Sequence, residues 1–298
     1  MSSDGTNPRI LDNPDNRRAF SLHSRHWRHN RYVYPVVSRR SGGISIGVNL
    51  NPDKVCNFDC IYCCVDRKTP GGDSTVDPEQ VRSELAGMLQ NVISGEIYSE
   101  EPFKNIAPEL RRLNDVAFSG DGEPTTCPEF GACCRIAAEL LRQAGLTHVK
   151  IVVITNATMF HRPAVRDALA FLDQNNGEIW AKLDAGTQDY YQLVDRTSIP
   201  LSRVLENIIA CARTRPTVIQ SLFMRVHGQA PPEDEIKAYI QRLIEIRTAG
   251  GKLKLIQLYT VARQTTEPYV TALSEEELSA MEKQVAAAVP EVPVKVYP

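Results

Sequence analysis

No stretch of this 298-residue sequence is apolar over the length that a bilayer-spanning helix requires, and its N-terminus is polar where a secretory leader would turn apolar. These two absences predict a soluble, cytoplasmic chain with no membrane partner. Charge of one sign is also lacking. The 34 Lys and Arg stand against 36 Asp and Glu, a formal net charge of -2, which argues against a globally nucleic-acid-shaped surface. There is no cysteine after Cys211 and no second C-x2-C knuckle beside the one at Cys60 and Cys63. The first absence excludes a thiolate-held cluster in the C-terminal part; the second weakens a structural zinc site, which usually pairs two knuckles. Eight cysteines spread over a chain of this size without a leader read as reduced thiols, not as a disulfide framework.

What is present suits a sizeable core. At 42% hydrophobic and 23% charged, the chain fits one α/β-barrel-sized domain, expected over residues 33–298 behind an N-terminal arm at 1–32. Short apolar runs alternate with helical periodicity. Strands are expected at residues 44–50, 115–119, 149–155, 178–184, 218–223 and 253–261. Between them, Asp77 and Pro78 open a helix carrying Val81, Leu85, Met88, Leu89 and Val92 on one face. A later helix shows Ile236, Ile240, Leu243 and Ile244, and the last starts with a capping box from Ser274 to Glu277. Six strand-helix units in series predict a parallel sheet with right-handed crossovers, which when curved brings all six loops to one rim as in a TIM barrel. In such a sheet, ligands bind beyond the carboxyl ends of the strands. Each unusual loop follows a strand: KVCNFDCIYCCVDRK the first, SGDGEPT (119–125) the second, TNATMF (155–160) the third, while KLDAGT (182–187) straddles the end of the fourth.

Cys56, Cys60 and Cys63 in the first of these loops have the spacing C-x3-C-x2-C. Three thiolates can hold three irons of a 4Fe-4S cube and leave the fourth free for another ligand. Cys64 could complete a four-thiolate zinc set, although adjacent side chains diverge. Cys127, Cys133, Cys134 and Cys211 read as packing residues. In the second loop, Gly120 and Gly122 let backbone approach a ligand, and Glu123, stiffened by Pro124, can accept a hydrogen bond from an ammonium group.

The cysteine spacing, with Tyr62 before the third cysteine, closely resembles that of the radical S-adenosylmethionine (SAM) enzymes, and the Gly-Asp-Gly-Glu loop resembles their Gly-Gly-Glu motif apart from the inserted Asp121. Ser38, Arg39 and Arg40, then GGISIGVNLNP, FSGDGEPT, AKLDAGT and LYTVAR, further resemble short radical SAM proteins classed as Fe-S oxidoreductases and related to the wybutosine-synthesis enzymes of tRNA, from about residue 33 to the C-terminus. The resemblance implies a parallel (β/α)6 partial TIM barrel of the radical SAM type, and one 4Fe-4S cluster held by three cysteines and chelated by SAM. It implies SAM contacts from Ser119, Gly120, Asp121, Gly122 and Glu123, and at the next two strand ends from Thr155, Asn156, Lys182 and Asp184; Lys182 and Asp184 could equally form a rim ion pair. Gln257 and Tyr259 are expected to flank the adenine. The implied chemistry is reductive cleavage of SAM, fed by a low-potential donor such as flavodoxin or ferredoxin, to a 5'-deoxyadenosyl radical that takes hydrogen from an unidentified substrate. The alternative is an Fe-S protein of electron transfer or sensing with a degenerate SAM site.

One segment speaks to RNA. Residues 17–40 contain seven arginines, three histidines and no acid, interleaved with Trp27, Tyr32 and Tyr34. Such a mixture can bind phosphates and stack on bases, so RNA is a candidate substrate class. The favoured expectation is instead an arm that wraps the domain, pairing its arginines with carboxylates and burying its aromatics. The first sixteen residues read as a disordered tail.

Overall fold

A computed structural model describes residues 13–22, 25 and 27–298. Its strands are β1 (Val33–Ser38), β2 (Gly43–Val48), β3 (Leu113–Phe118), β4 (Lys150–Thr155), β5 (Gly177–Lys182), β6 (Thr217–Leu222), β7 (Arg225–Val226), β8 (Leu253–Tyr259), β9 (Val270–Thr271) and β10 (Val294–Tyr297). Strands β2, β3, β4, β5, β6 and β8 lie side by side in that order, all parallel, and correspond to the six expected from the sequence. The sheet curls into the half-barrel of the expected (β/α)6 class.

Two further strands extend it. β1 pairs antiparallel with β2, Val33 facing Val48, and β10 pairs parallel with β8. Pro35 removes a backbone donor from the run VYPVVS, which masks a strand in the sequence; at the sheet edge that donor is not needed. The four residues of β10 are too few to show a period. β7 and β9 form a separate two-stranded ribbon within the loops that follow β6 and β8.

The helices are α1 (Pro14–Ser21), α2 (Pro78–Ile93), α3 (Phe130–Gln143), α4 (Pro163–Asp173), α5 (Gln188–Asp195), α6 (Leu201–Thr214), α7 (Glu233–Thr248) and α8 (Glu275–Ala288). Asp77 caps α2 by accepting from the backbone N–H groups of Glu79 and Gln80, and the five apolar residues expected on one face are its buried residues. The capping box at Ser274 and Glu277 is formed. In α7 the buried stripe is Ile236, Tyr239, Leu243 and Ile246, with Ile240 and Ile244 at its margin, so the face is rotated from the expected one. Tyr239 supplies the reason: its hydroxyl meets Ser221 on β6, 2.8 Å away, and its ring packs edge-on against Phe223.

Alternation along each strand divides the core in two. On β4, Ile151 and Val153 join the large cluster under the helices, whereas Val152 turns to the concave face with Ala117, Trp180 and Val218. Cys133, Cys134 and Cys211 are buried packing residues of α3 and α6.

The arm packs onto the domain. Ala19, Phe20 and Tyr32 belong to the core, and Trp27 meets Phe103 edge-on at 5.8 Å. Arg28 pairs with Glu96 at 2.9 Å and Glu100 at 2.5 Å, Arg25 with Asp121 at 3.0 Å, and Arg31 donates to the carbonyl of Asp73. α1, capped by Asn13, runs into the stretch expected to be a tail; residues 1–12, His23 and His26 lie outside the described residues. No helix among the described residues is long and apolar enough to cross a membrane.

Candidate active site

One cavity opens on the concave face. It is lined by all three cysteines of the spacing motif, by Cys64, and by the loops that leave the carboxyl ends of the strands. The cysteine loop is held from three sides. Asp59 and Ile61 donate backbone N–H groups to the carbonyls of Asp195 and Val194 at the end of α5, and the Asn57 side chain bonds Asn156 and Thr158 after β4. The backbone N–H of Thr266, beyond β8, donates to the Cys63 carbonyl at 3.0 Å. Burial pushes the Cys56 and Cys64 thiols above their ordinary pKa and the Cys60 thiol well above it. The Arg67 guanidinium lies 3.6 Å from Cys63 Sγ, a cation suited to a thiolate.

Among the described residues, no three His, Cys, Asp or Glu side chains converge as ligands of a single metal ion. A cluster makes a different demand, because its thiolates bind separate irons and need only face one space. Cys56, Cys60 and Cys63 all line the one cavity, so these three thiols could hold a cluster together.

Ser119, Gly120, Asp121, Gly122, Glu123, Thr155 and Asn156 also line this cavity. The glycines answer to protein contacts as well as to any ligand. A Cβ on Gly120 would stand 2.3 Å from the Asn49 side chain, and one on Gly122 would stand 2.2 Å from the Val55 carbonyl oxygen. Asp121 is engaged by Asn49 at 2.7 Å and by Arg25, which ties the basic arm to the loop. Glu123 is 3% exposed and heavily bonded. Its Oε1 accepts from Thr155 Oγ1 at 2.7 Å and from the Thr125 backbone and hydroxyl; its Oε2 accepts from the Asn156 N–H at 2.7 Å. Burial raises its pKa, while these donors hold it down. The carboxylate therefore joins the β3 loop to the end of β4, and Oε2 retains room for one more donor.

Lys182 and Asp184 do form an ion pair, at 3.0 Å. Lys182 faces the cavity; Asp184, 2% exposed, stands behind it. Burial opposes the Lys182 charge, yet Asp184 and the Tyr259 hydroxyl 2.9 Å away raise its pKa above the ordinary lysine value. Asp184 accepts from Tyr62 Oη at 2.5 Å and from the Leu222 N–H. Tyr62 Oη also lies 3.0 Å from Asp195 Oδ1, which is 3.3 Å from Cys60 Sγ; Asp195 Oδ2 is buried and has no partner among the described residues. Asp195 carries no signal in the sequence, since only folding brings α5 under the cysteine loop. Gln257 does not line the cavity. It accepts from Gln220 Nε2 at 2.9 Å, leaving Gln220 to face inward with Tyr259. Gln220, Asp115 and Ser45 also went unmarked by motif; polar residues at alternate positions of apolar strands were the available sign.

The chain thus presents a half-barrel with a three-cysteine loop at the carboxyl rim of its sheet. Residues 50–243 match the family model for the radical SAM superfamily, and the chain belongs to that superfamily, whose members are enzymes that use a 4Fe-4S cluster and SAM. A protein described as GTPase Obg, from Brachyspira hyodysenteriae, is 24% identical over 86% of this chain and 34% of its own length. UPF0026 proteins of Helicobacter pylori and Methanocaldococcus jannaschii are 25% and 29% identical, over 74% and 59% of this chain and 65% and 48% of their own lengths. The chain thus spans about a third to two thirds of these relatives. Among solved structures, TYW1 with a lysine-pyruvate adduct bound aligns with a TM-score of 0.52 and 17% identity, covering 91% of this chain and 80% of that one. Streptococcus suis SuiB bound to SAM aligns with a TM-score of 0.57 and 12% identity, covering 87% and 51%. Both likenesses are of fold.

Proposed function

We propose that this chain cleaves SAM reductively at a 4Fe-4S cluster held by Cys56, Cys60 and Cys63, and uses the resulting 5'-deoxyadenosyl radical to take hydrogen from a substrate in the cavity. The observation that carries the reading is the meeting of the three cysteines with the Gly-Asp-Gly-Glu loop on one cavity wall. When bound, the cluster supplies the electron that breaks the S–C5' bond of SAM. The chain's own residues bind and shield. Glu123 Oε2 and the backbone of residues 119–122 suit the amino group of SAM, Thr155 and Asn156 suit its hydroxyls, and Lys182 suits its carboxylate. The buried concave face keeps water from the radical. A low-potential donor of the flavodoxin or ferredoxin kind fits the electron demand.

The TYW1 structure has a lysine-pyruvate adduct bound. Among the described residues lining this cavity the lysine is Lys182, and its pairing with Asp184 keeps it protonated, which disfavours an amine nucleophile. We therefore do not extend that adduct to this chain.

Anaerobically reconstituted and reduced protein should convert SAM to 5'-deoxyadenosine and methionine without added substrate. Cys56→Ala, Cys60→Ala and Cys63→Ala should each abolish both this product and the thiolate-to-iron absorption, and Cys64→Ala should retain them. Methylthioadenosine in place of deoxyadenosine would mean that a different bond breaks. A full cluster with no nucleoside product would favour electron transfer or sensing.

A further inference from the structure

Several arginines of this fold meet carboxylates: Arg25 with Asp121, Arg28 with Glu96, Arg215 with Asp173, Arg225 with Glu277. Four of the arginines lining the cavity do not; Arg67 is taken up by the carbonyl oxygens of Lys54 and Asp121, which leaves three. Arg39 and Arg40 lie in the turn between β1 and β2, and Arg263 in the loop after β8. The curl of the sheet brings these two edges together. Arg39 donates to the Pro298 carbonyl oxygen, and the Arg40 guanidinium stands over the rings of Trp180 at 5.7 Å and Tyr259 at 5.0 Å. Among the described residues, Arg40 and Arg263 make no hydrogen bond or ion pair to a protein group. Asp115 is the acid that senses Arg40, and it is bonded to Ser45.

Grouping half-buried guanidiniums without counter-charges destabilises a fold. Burial together with Arg40 and Arg263 pushes the Arg39 pKa down to about 10, and Arg263 is lowered by burial and by the Arg25 and Arg40 charges. Such an arrangement is relieved when an anion enters. Guanidinium forks match phosphate oxygens in pairs, and the aromatic rings fix the plane of Arg40 while leaving its donors open. Nearby on the concave face, Gln220 is fully buried and its Oε1 has no partner among the described residues, an acceptor open to a hydroxyl or amine.

We propose that Arg40 and Arg263, backed by Arg39, bind a phosphate group of the substrate, which is a small phosphorylated molecule carrying a hydrogen-bond donor for Gln220. This names the substrate class within the proposed function and rests on it; the anion site itself does not. A small molecule is favoured over RNA because the arginines line an interior wall and because Arg25 and Arg28 of the basic arm are already paired with protein carboxylates.

The test is titration of the reconstituted full chain with inorganic phosphate and with ribose 5-phosphate, against chloride at matched ionic strength, read by calorimetry and by the fluorescence of Trp180 beneath Arg40. Binding should saturate, and Arg40→Gln and Arg263→Gln should each weaken it by about tenfold or more. Both variants should melt no lower than the parent, because the repulsion is relieved, and both should keep the parent's affinity for SAM. Phosphate acting no differently from chloride, or binding the variants equally well, would overturn the proposal. So would loss of SAM affinity in the variants, which would assign the arginines to the cofactor, or binding of tRNA without binding of either small probe. Phosphate binding is read without SAM turnover, so failure of the chain to cleave SAM would count against the enzyme reading alone.

Discussion

Glu123 shows how one side chain can serve both scaffold and site. Its oxygens accept from Thr125, Thr155 and the Asn156 N–H, so removing the carboxylate strands buried donors on two loops at once. Glu123→Ala should therefore lower unfolding stability by about 3 kcal/mol, measured by urea titration of the anaerobic protein, and weaken SAM binding by about 1.5 to 3 kcal/mol by calorimetry. Loss of SAM affinity with unchanged stability would show that the loop does not depend on the acid. Asp115 is a second buried acid, 3% exposed, with its pKa pushed up to about 6 by burial against the opposing bond from Ser45. Its folded pKa lies above its unfolded one. The fold is thus fully favoured while the group is protonated, and that contribution is lost as pH rises through about 4 to 6. Relative to Asp115→Asn, the parent should lose about 2 to 3 kcal/mol between pH 4 and pH 7, read from urea midpoints of both proteins. A pH-independent difference would mean that Asp115 stays charged throughout.

At the scale of elements, local chemistry and neighbours contribute in different proportions. α2 was fully legible, since its cap, its proline and its apolar spacing lie within one stretch of chain. Asp77→Ala should cost about 1 kcal/mol in thermal or urea unfolding, and Asp77→Asn much less, because an amide oxygen can also cap. α7 was legible in position but not in facing, because the Tyr239 hydroxyl needs Ser221 and that need appears only when β6 is alongside. β1 was hidden by Pro35. β10 was hidden by brevity, and its place beside β8 is a tertiary fact.

At the scale of the molecule, the curl of the sheet creates the cavity and closes its flank, where the β1–β2 turn reaches the C-terminal strand through Arg39 and Pro298. The basic arm packs onto this arrangement, with Phe20 and Arg25 on the cavity wall, Arg25 and Arg28 paired and Tyr32 buried. Binding of tRNA should accordingly be weak at low salt and vanish near physiological ionic strength in a filter-binding titration. Submicromolar affinity that persisted at physiological salt would instead make RNA the leading substrate.

Periodicity determined the six parallel strands and their order, because alternation and helical spacing are local properties of the chain and right-handed crossovers leave few ways to arrange them. Spacing marked the cysteine loop as a candidate ligand set for the same reason. Only the tertiary structure decided what meets those motifs. Asp195 under Cys60, Asn49 against Gly120, Lys182 between Tyr62 and Tyr259, and Arg40 beside Arg263 are contacts between residues far apart in sequence. Their charges and donors acquire partners, or are left without them, only when the sheet curls and water is excluded.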